Sequence, residues 1–278
     1  MPSTFSKLAQ HPAPVRIGAF LLCLLLVWLP IVVPIYLLVS DQNTRNLVTL
    51  PLLYLEFMLL VRVWGRRVYK QPNLLRHYGL EFSRRSAGEL LSGWGLSASS
   101  LLLVLAIEGW LGWLTWKAPG PNLFSTVLEG LAIGLAIGFA EELLFRGWLL
   151  EELQRDYSAQ RSLWIGAIAF AVLHFIRPVS EILRLAPQFP ALVLLGLALV
   201  WAKRAGRDRL ALPIGIHAGL VSTFYPLSVG RLMEFSDHVP AWVTGIDRNP
   251  LAGAIGILFL AGLVLITRQL AQRVAIRR

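Results

Sequence analysis

Two adjacent carboxylates, Glu141 and Glu142, stand just ahead of Arg146, and two histidines, His174 and His217, follow in equally apolar surroundings. Carboxylate and imidazole are the side chains that exchange protons near neutral pH, so their convergence would suit general acid–base work on a water molecule. Gly130, Gly134, Gly138, Glu142 and Arg146 recur at steps of four, which lays them along one stripe of a helix. On that stripe Glu142 and Arg146 are one turn apart, the spacing of an internal ion pair whose ordinary role is structural. Glu141 is rotated by about 100° from Glu142 and is not automatically neutralised by Arg146. It is therefore available as a general base, the ordinary alternative being an interhelical hydrogen bond made by a protonated acid. A lone histidine in such surroundings usually donates a hydrogen bond to a neighbouring helix; two of them beside a double glutamate suggest more. Two chemistries fit. Glu141 and His174 could activate water while His217 donates to the oxyanion of an amide under attack. Alternatively Glu141, His174 and His217 could hold a zinc whose open position carries the water, although the soluble His-Glu-x-x-His signature is absent. Both give the same reaction, hydrolysis of a peptide bond within or beside a membrane.

The elements that must position these residues are membrane helices. Of 278 residues 56% are hydrophobic and 15% charged, and the mean hydropathy is +0.62. Soluble chains run about 45–50% apolar with glycine included and about 25% charged. A soluble enzyme, a disordered chain and a disulfide scaffold are thereby excluded, and the sole cysteine, Cys23, suggests no redox role. A span needs about 20 apolar residues. Eight segments are candidates: Ile17–Leu38 with probable kinks at Pro30 and Pro34, Leu47–Trp64, Gly93–Trp116, Leu123–Leu150, Leu163–Ile176, Ala191–Ala202, Leu210–Val229 and Leu251–Ile266. The first has neither the short core nor the small-residue cleavage site of a signal peptide. With the N-terminus in the cytoplasm, nineteen Lys and Arg fall on the cytoplasmic side, six on the other and Arg146 inside a span. The net charge of +10 is then topology rather than a sign of nucleic-acid binding, and both termini are cytoplasmic.

Other charged positions carry less. Glu151 and Glu152 with Arg155 fall at a helix exit and read as a solvated end. Glu56 and Glu108 lie within spans and could line a cavity or bond a neighbouring helix. The basic Arg66–Gly88 connection suits an interfacial helix or a solvated loop, Met233–Asn249 a lid or loop on the outer side holding Asp237 and His238, and Trp64, Trp110, Trp113 and Trp116 interfacial anchors. Counted from the cytoplasmic ends, Glu141, His174 and His217 lie roughly 10–18 Å deep and can meet at one level.

These residues resemble a known family. Glu141-Glu142-Leu-Leu-Phe-Arg146 matches its Glu-Glu-x-x-x-Arg motif and Phe170-Ala-Val-Leu-His174 its Phe-x-x-x-His motif, while His217 meets the first position of His-x-x-x-Asn. The family is the CPBP group of intramembrane proteases, the CAAX proteases and bacteriocin-processing enzymes, also called Abi, which includes the Ras-converting type of CAAX prenyl endopeptidase. The resemblance covers roughly Val127–Ser222. It implies an α-helical core with a water-filled cavity open to the cytosolic leaflet. It further implies that Glu141 and His174 activate water, that His217 stabilises the oxyanion, and that Glu142 and Arg146 belong to the site without a structural need for zinc. Val221 stands where the family has its asparagine and cannot donate a hydrogen bond.

The expectation is thus an all-α polytopic membrane protein forming one integral-membrane domain over residues 1–278, with its catalytic core at 127–222. Its partners would be the bilayer and a membrane-delivered or lipidated protein or peptide, with no nucleic acid. No cofactor is required on this reading, zinc remaining the alternative. The absence of an organelle signal and the abundance of relatives in bacteria point to a bacterial plasma membrane, with the endoplasmic reticulum the other option. The competing reading is a non-catalytic relative, such as a transporter, immunity protein or scaffold, with a structural Glu/His cluster.

Overall fold

A computed structural model describes residues 7–277; Arg278, one of the cations counted above, lies outside the described residues. Where no water is at hand to satisfy the backbone, an apolar chain must close its hydrogen bonds within each segment, and among the described residues it does so in eight long helices. These are α1 (Ala13–Leu38), α2 (Gln42–Trp64), α3 (Arg84–Trp110), α4 (Leu123–Glu142), α5 (Ala159–His174), α6 (Phe189–Ala205), α7 (Ala211–Val229) and α8 (Ala254–Ile276). Short polar side chains set several starts: Asp41 accepts from the Thr44 amide, Ser83 from Ser86 and Ser158 from Arg161. Pro30 and Pro34 sit inside the continuous helix α1. The helical path of α4 runs on through a π-helical stretch, Leu143–Leu149, into Leu150–Gln154.

Among the described residues seven helical segments are long and apolar enough to cross a membrane. The chain is a multi-pass α-helical membrane protein. The exception is α5, whose 16 residues reach only about 24 Å against a hydrocarbon thickness of about 30 Å. It stops at His174, and the chain returns through the short helix Val179–Leu185 to α6. Met233–Phe235 is not part of a free loop. It forms strand β2, which pairs antiparallel with β1 (Leu114–Trp116), so Trp116 belongs to a ribbon rather than to the end of α3.

The chain divides into two compact units. One comprises Met1–Tyr78 with Glu151–Tyr157. There Phe20 on α1 packs edge-on against Phe57 and Trp64 of α2. Glu152 corrects the expectation of a solvated helix end: it is buried, bonded to Arg16 Nε at 3.0 Å and to the Tyr69 hydroxyl at 2.6 Å. Arg155 lies over the Tyr69 ring, 3.7 Å from its centroid. Burial in this unit therefore demands partners that its sequence position did not reveal.

The other unit, Gly79–Leu150 with Ser158–Arg278, holds the main apolar core. Its centre is α7, packed between α3 and α4, while α6 packs on α5 and α8. Direction alternates along the chain. The Leu210 amide ahead of α7 donates to Gly79 O ahead of α3, Arg204 at the end of α6 donates to Ala159 O at the start of α5, and Arg268 on α8 approaches Trp201 on α6. The β1–β2 ribbon joins the opposite ends of α3 and α7.

Candidate active site

Glycine brings α4 and α7 together. A Cβ on Gly134 would lie 2.7 Å from Ala218 O, and one on Gly138 would lie 3.0 Å from Ile214 O and Ala218 N. The two backbones thus touch along the stripe that ends in Glu142. From the other side α3 closes on α7 just as tightly, Leu90 and Trp94 lying against Gly215 and Gly219. With its backbone fixed on both faces, α7 presents His217 to the end of α4.

The turn after Glu142 is widened. The Leu150 amide bonds to Phe145 O, five residues back, instead of to Arg146 O. The carbonyl of Arg146 is thereby freed inside the core, where the buried Lys203 ammonium of α6 donates to it at 2.9 Å. Such π-helical turns recur at functional sites.

The side chains then converge. Glu142 Oε1 accepts from Arg146 Nη1 at 2.8 Å and lies 2.9 Å from His217 Nδ1, all three groups being buried. Arg146 also donates to Gly196 O at 3.3 Å, and its guanidinium sits 4.4 Å above the Phe170 ring. The Phe170 carbonyl lies 2.8 Å from His174 Nδ1. A carbonyl can only accept, so Nδ1 carries the proton and Nε2 is the ring nitrogen left to face the site. That Nε2 is 3.6 Å from Glu141 Oε2, and His217 Nε2 is 3.9 Å from the same oxygen. Glu141 Oε2 itself makes no hydrogen bond. Glu141 and His174 are 29% and 30% exposed against 0% for Glu142, so the cluster has a sealed half and an open half.

All five candidate residues therefore meet in one cluster: Glu142 and Arg146 as a buried pair, Glu141 outside that pair, and both histidines facing Glu141. Val221 stays half-buried one turn beyond His217. Its neighbour Ser222 is buried and accepts from Trp94 Nε1 at 2.8 Å, which ties it to α3. Three contributions were not evident from the residues alone. The ring of Phe170 serves as a platform for Arg146 and lies beside His174, with centroids 4.4 Å apart. Lys203 is among the nineteen basic residues that charge alone assigns to the cytoplasmic side, and the π-helical turn has no marker in its composition.

For the zinc alternative, the described residues contain no group of three or more His, Cys, Asp or Glu side chains placed to hold a metal ion. His217 and His174 each have Nδ1 committed, to Glu142 and to the Phe170 carbonyl. A committed Nδ1 is also the ordinary arrangement of a metal-bound imidazole, and both Nε2 atoms face Glu141 Oε2.

Residues 122–223 match the family described as type II CAAX prenyl endopeptidase, Rce1-like. The match spans 102 of the 278 residues, contains all five clustered side chains, and bears out the resemblance to CAAX-type intramembrane proteases. No curated protein and no solved structure matches the chain.

Proposed function

We propose that this protein is an intramembrane endopeptidase that uses Glu141 and His174 to activate a water and His217 to stabilise the oxyanion. The observation that carries the reading is the meeting of two hydrogen-bond acceptors, Glu141 Oε2 and His174 Nε2, at 3.6 Å with no donor of their own between them. Oε2 is shielded from solvent in this structure, so a water must first be admitted between the two atoms, where it can donate one hydrogen to each and point its oxygen lone pair outward. Attack on the scissile carbonyl carbon forms the C–O bond and moves the carbonyl π electrons onto oxygen, while Glu141 takes the proton. Collapse breaks the C–N bond, and that proton passes to the leaving amine.

The oxyanion is the task of His217. With Nδ1–H donated to Glu142, its Nε2 can donate only as the imidazolium. Glu142 and Arg146 then act as positioning residues for His217. Oxyanion stabilisation rests on His217 without the family's asparagine, whose place Val221 fills.

The basic helix ends lie in the cytoplasm of a bacterial plasma membrane on this reading, with both termini on that side. The substrate is a protein or peptide delivered through the bilayer or bearing a lipid. Comparing the protein termini of host membranes carrying the native chain or Glu141→Gln at matched expression tests it. A small set of uncleaved precursors accumulating with Glu141→Gln is expected. Identical termini, with both proteins folded and inserted, would favour the non-catalytic reading suggested by Val221.

A further inference from the structure

The connections α3–α4, α5–α6 and α7–α8 carry five Lys and Arg, and three of them, Lys117, Arg231 and Arg248, line one cavity of about 510 Å³. The remaining lining is nearly without opposing charge. Glu234 on β2 is the acidic side chain there, and Lys117 holds it at 2.6 Å, keeping its carboxyl below the usual carboxylate range. Ser228, at the end of α7, adds a hydroxyl. It lies eleven residues beyond His217, or roughly 16 Å along the helix, so this cavity is separate from the site above.

The cavity is built rather than incidental. The ribbon fixes Lys117, whose amide donates to Leu232 O at 2.8 Å, opposite Glu234. Arg231 and Arg248 occupy left-handed backbone at φ 51° and 61°, a conformation that side-chain-bearing residues rarely adopt and that concentrates at binding sites. Asp247, the neighbouring acid, is drawn off by Arg184 and does not neutralise them. Met233 and Phe235 add apolar side chains to the lining, so one wall of the cavity is apolar.

We infer that this cavity binds a phosphate group of net negative charge, and that its occupant is the headgroup of an anionic phospholipid. Arginine forks match phosphate oxygens bidentately. Three cations against one acid, already paired, leave an excess positive charge for the ligand. The apolar wall favours a lipid over free phosphate as the source of that group. The inference is independent of the catalytic reading.

Native mass spectrometry of the full-length, detergent-solubilised protein offered phosphatidylglycerol or phosphatidylcholine tests it, with inorganic phosphate titrated against thermal unfolding in parallel. Preferential retention of phosphatidylglycerol is expected, falling about tenfold in Arg231→Gln/Arg248→Gln. Glu234→Gln, which removes the competing acid, should strengthen retention roughly threefold, an effect that misfolding cannot mimic. Stabilisation by inorganic phosphate as strong as that by the lipid would support the phosphate site and overturn its lipid source. Equal retention of both lipids, or retention unchanged in all variants, would overturn the proposal.

Discussion

His217 Nδ1 lies 2.9 Å from Glu142 Oε1, the same oxygen that accepts from Arg146. One carboxylate thus orients an imidazole and balances a guanidinium, which makes Glu142 a positioning residue rather than a second base. Replacing it by Gln leaves Arg146 buried without its counter-ion. Breaking such a pair typically costs about 3–5 kcal/mol. Glu142→Gln is expected to lower the unfolding temperature markedly, whereas Glu141→Gln, open to solvent and outside the pair, is expected to change it little. Thermal unfolding in detergent decides between them.

Phe170 links the two halves of the site. Its ring supports Arg146 and its carbonyl holds His174 in one tautomer. Phe170→Leu preserves the carbonyl and removes the ring. The expected result is a loss of about 1 kcal/mol from the cation–aromatic contact with cleavage retained but slowed, measured as kcat at saturating substrate.

The glycine stripe gives a pair of opposite outcomes. Gly134→Val would drive a side chain into Ala218 O and Ser222 N, at 2.7 and 2.9 Å from the first added carbon. Overpacking of this kind costs about 1–3 kcal/mol and would displace His217. Gly166→Ala on α5 meets nothing within 4 Å and should leave both stability and cleavage unchanged.

Lys203→Met removes the donor to the Arg146 carbonyl in the widened turn. A buried carbonyl left without a partner costs about 1–3 kcal/mol. The variant should unfold earlier than the native protein, and the loss should be absent from Lys→Met changes at exposed ends such as Lys70.

Val221→Asn supplies the missing hydrogen-bond donor one turn from His217. One oxyanion donor is worth about 10²–10³ in rate. A gain of roughly tenfold or more in kcat, with little change in KM, is expected if Val221 limits oxyanion stabilisation.

The helical membrane class was legible because 56% apolar residues leave few alternatives, and the four-residue spacing of Gly130 to Arg146 placed the α4 stripe. Chain periodicity also separated Glu141 from Glu142, because 100° of rotation is a local property. What was hidden is non-local. Glu152 looked like a solvated exit because its partners, Arg16 and Tyr69, are distant in sequence. The ribbon of Leu114–Trp116 with Met233–Phe235 joins segments more than a hundred residues apart. Helix α5 ends at His174, shortly before Arg177 and Pro178, where apolarity alone would have carried it to Ile176.

The base role of Glu141 is read from the cleavage rate of Glu141→Gln in folded, bilayer-reconstituted protein against a substrate recovered from the terminal comparison. A loss of about 10²–10⁴-fold, the worth of a general base, is expected with the native unfolding temperature retained. Full cleavage by Glu141→Gln would contradict it.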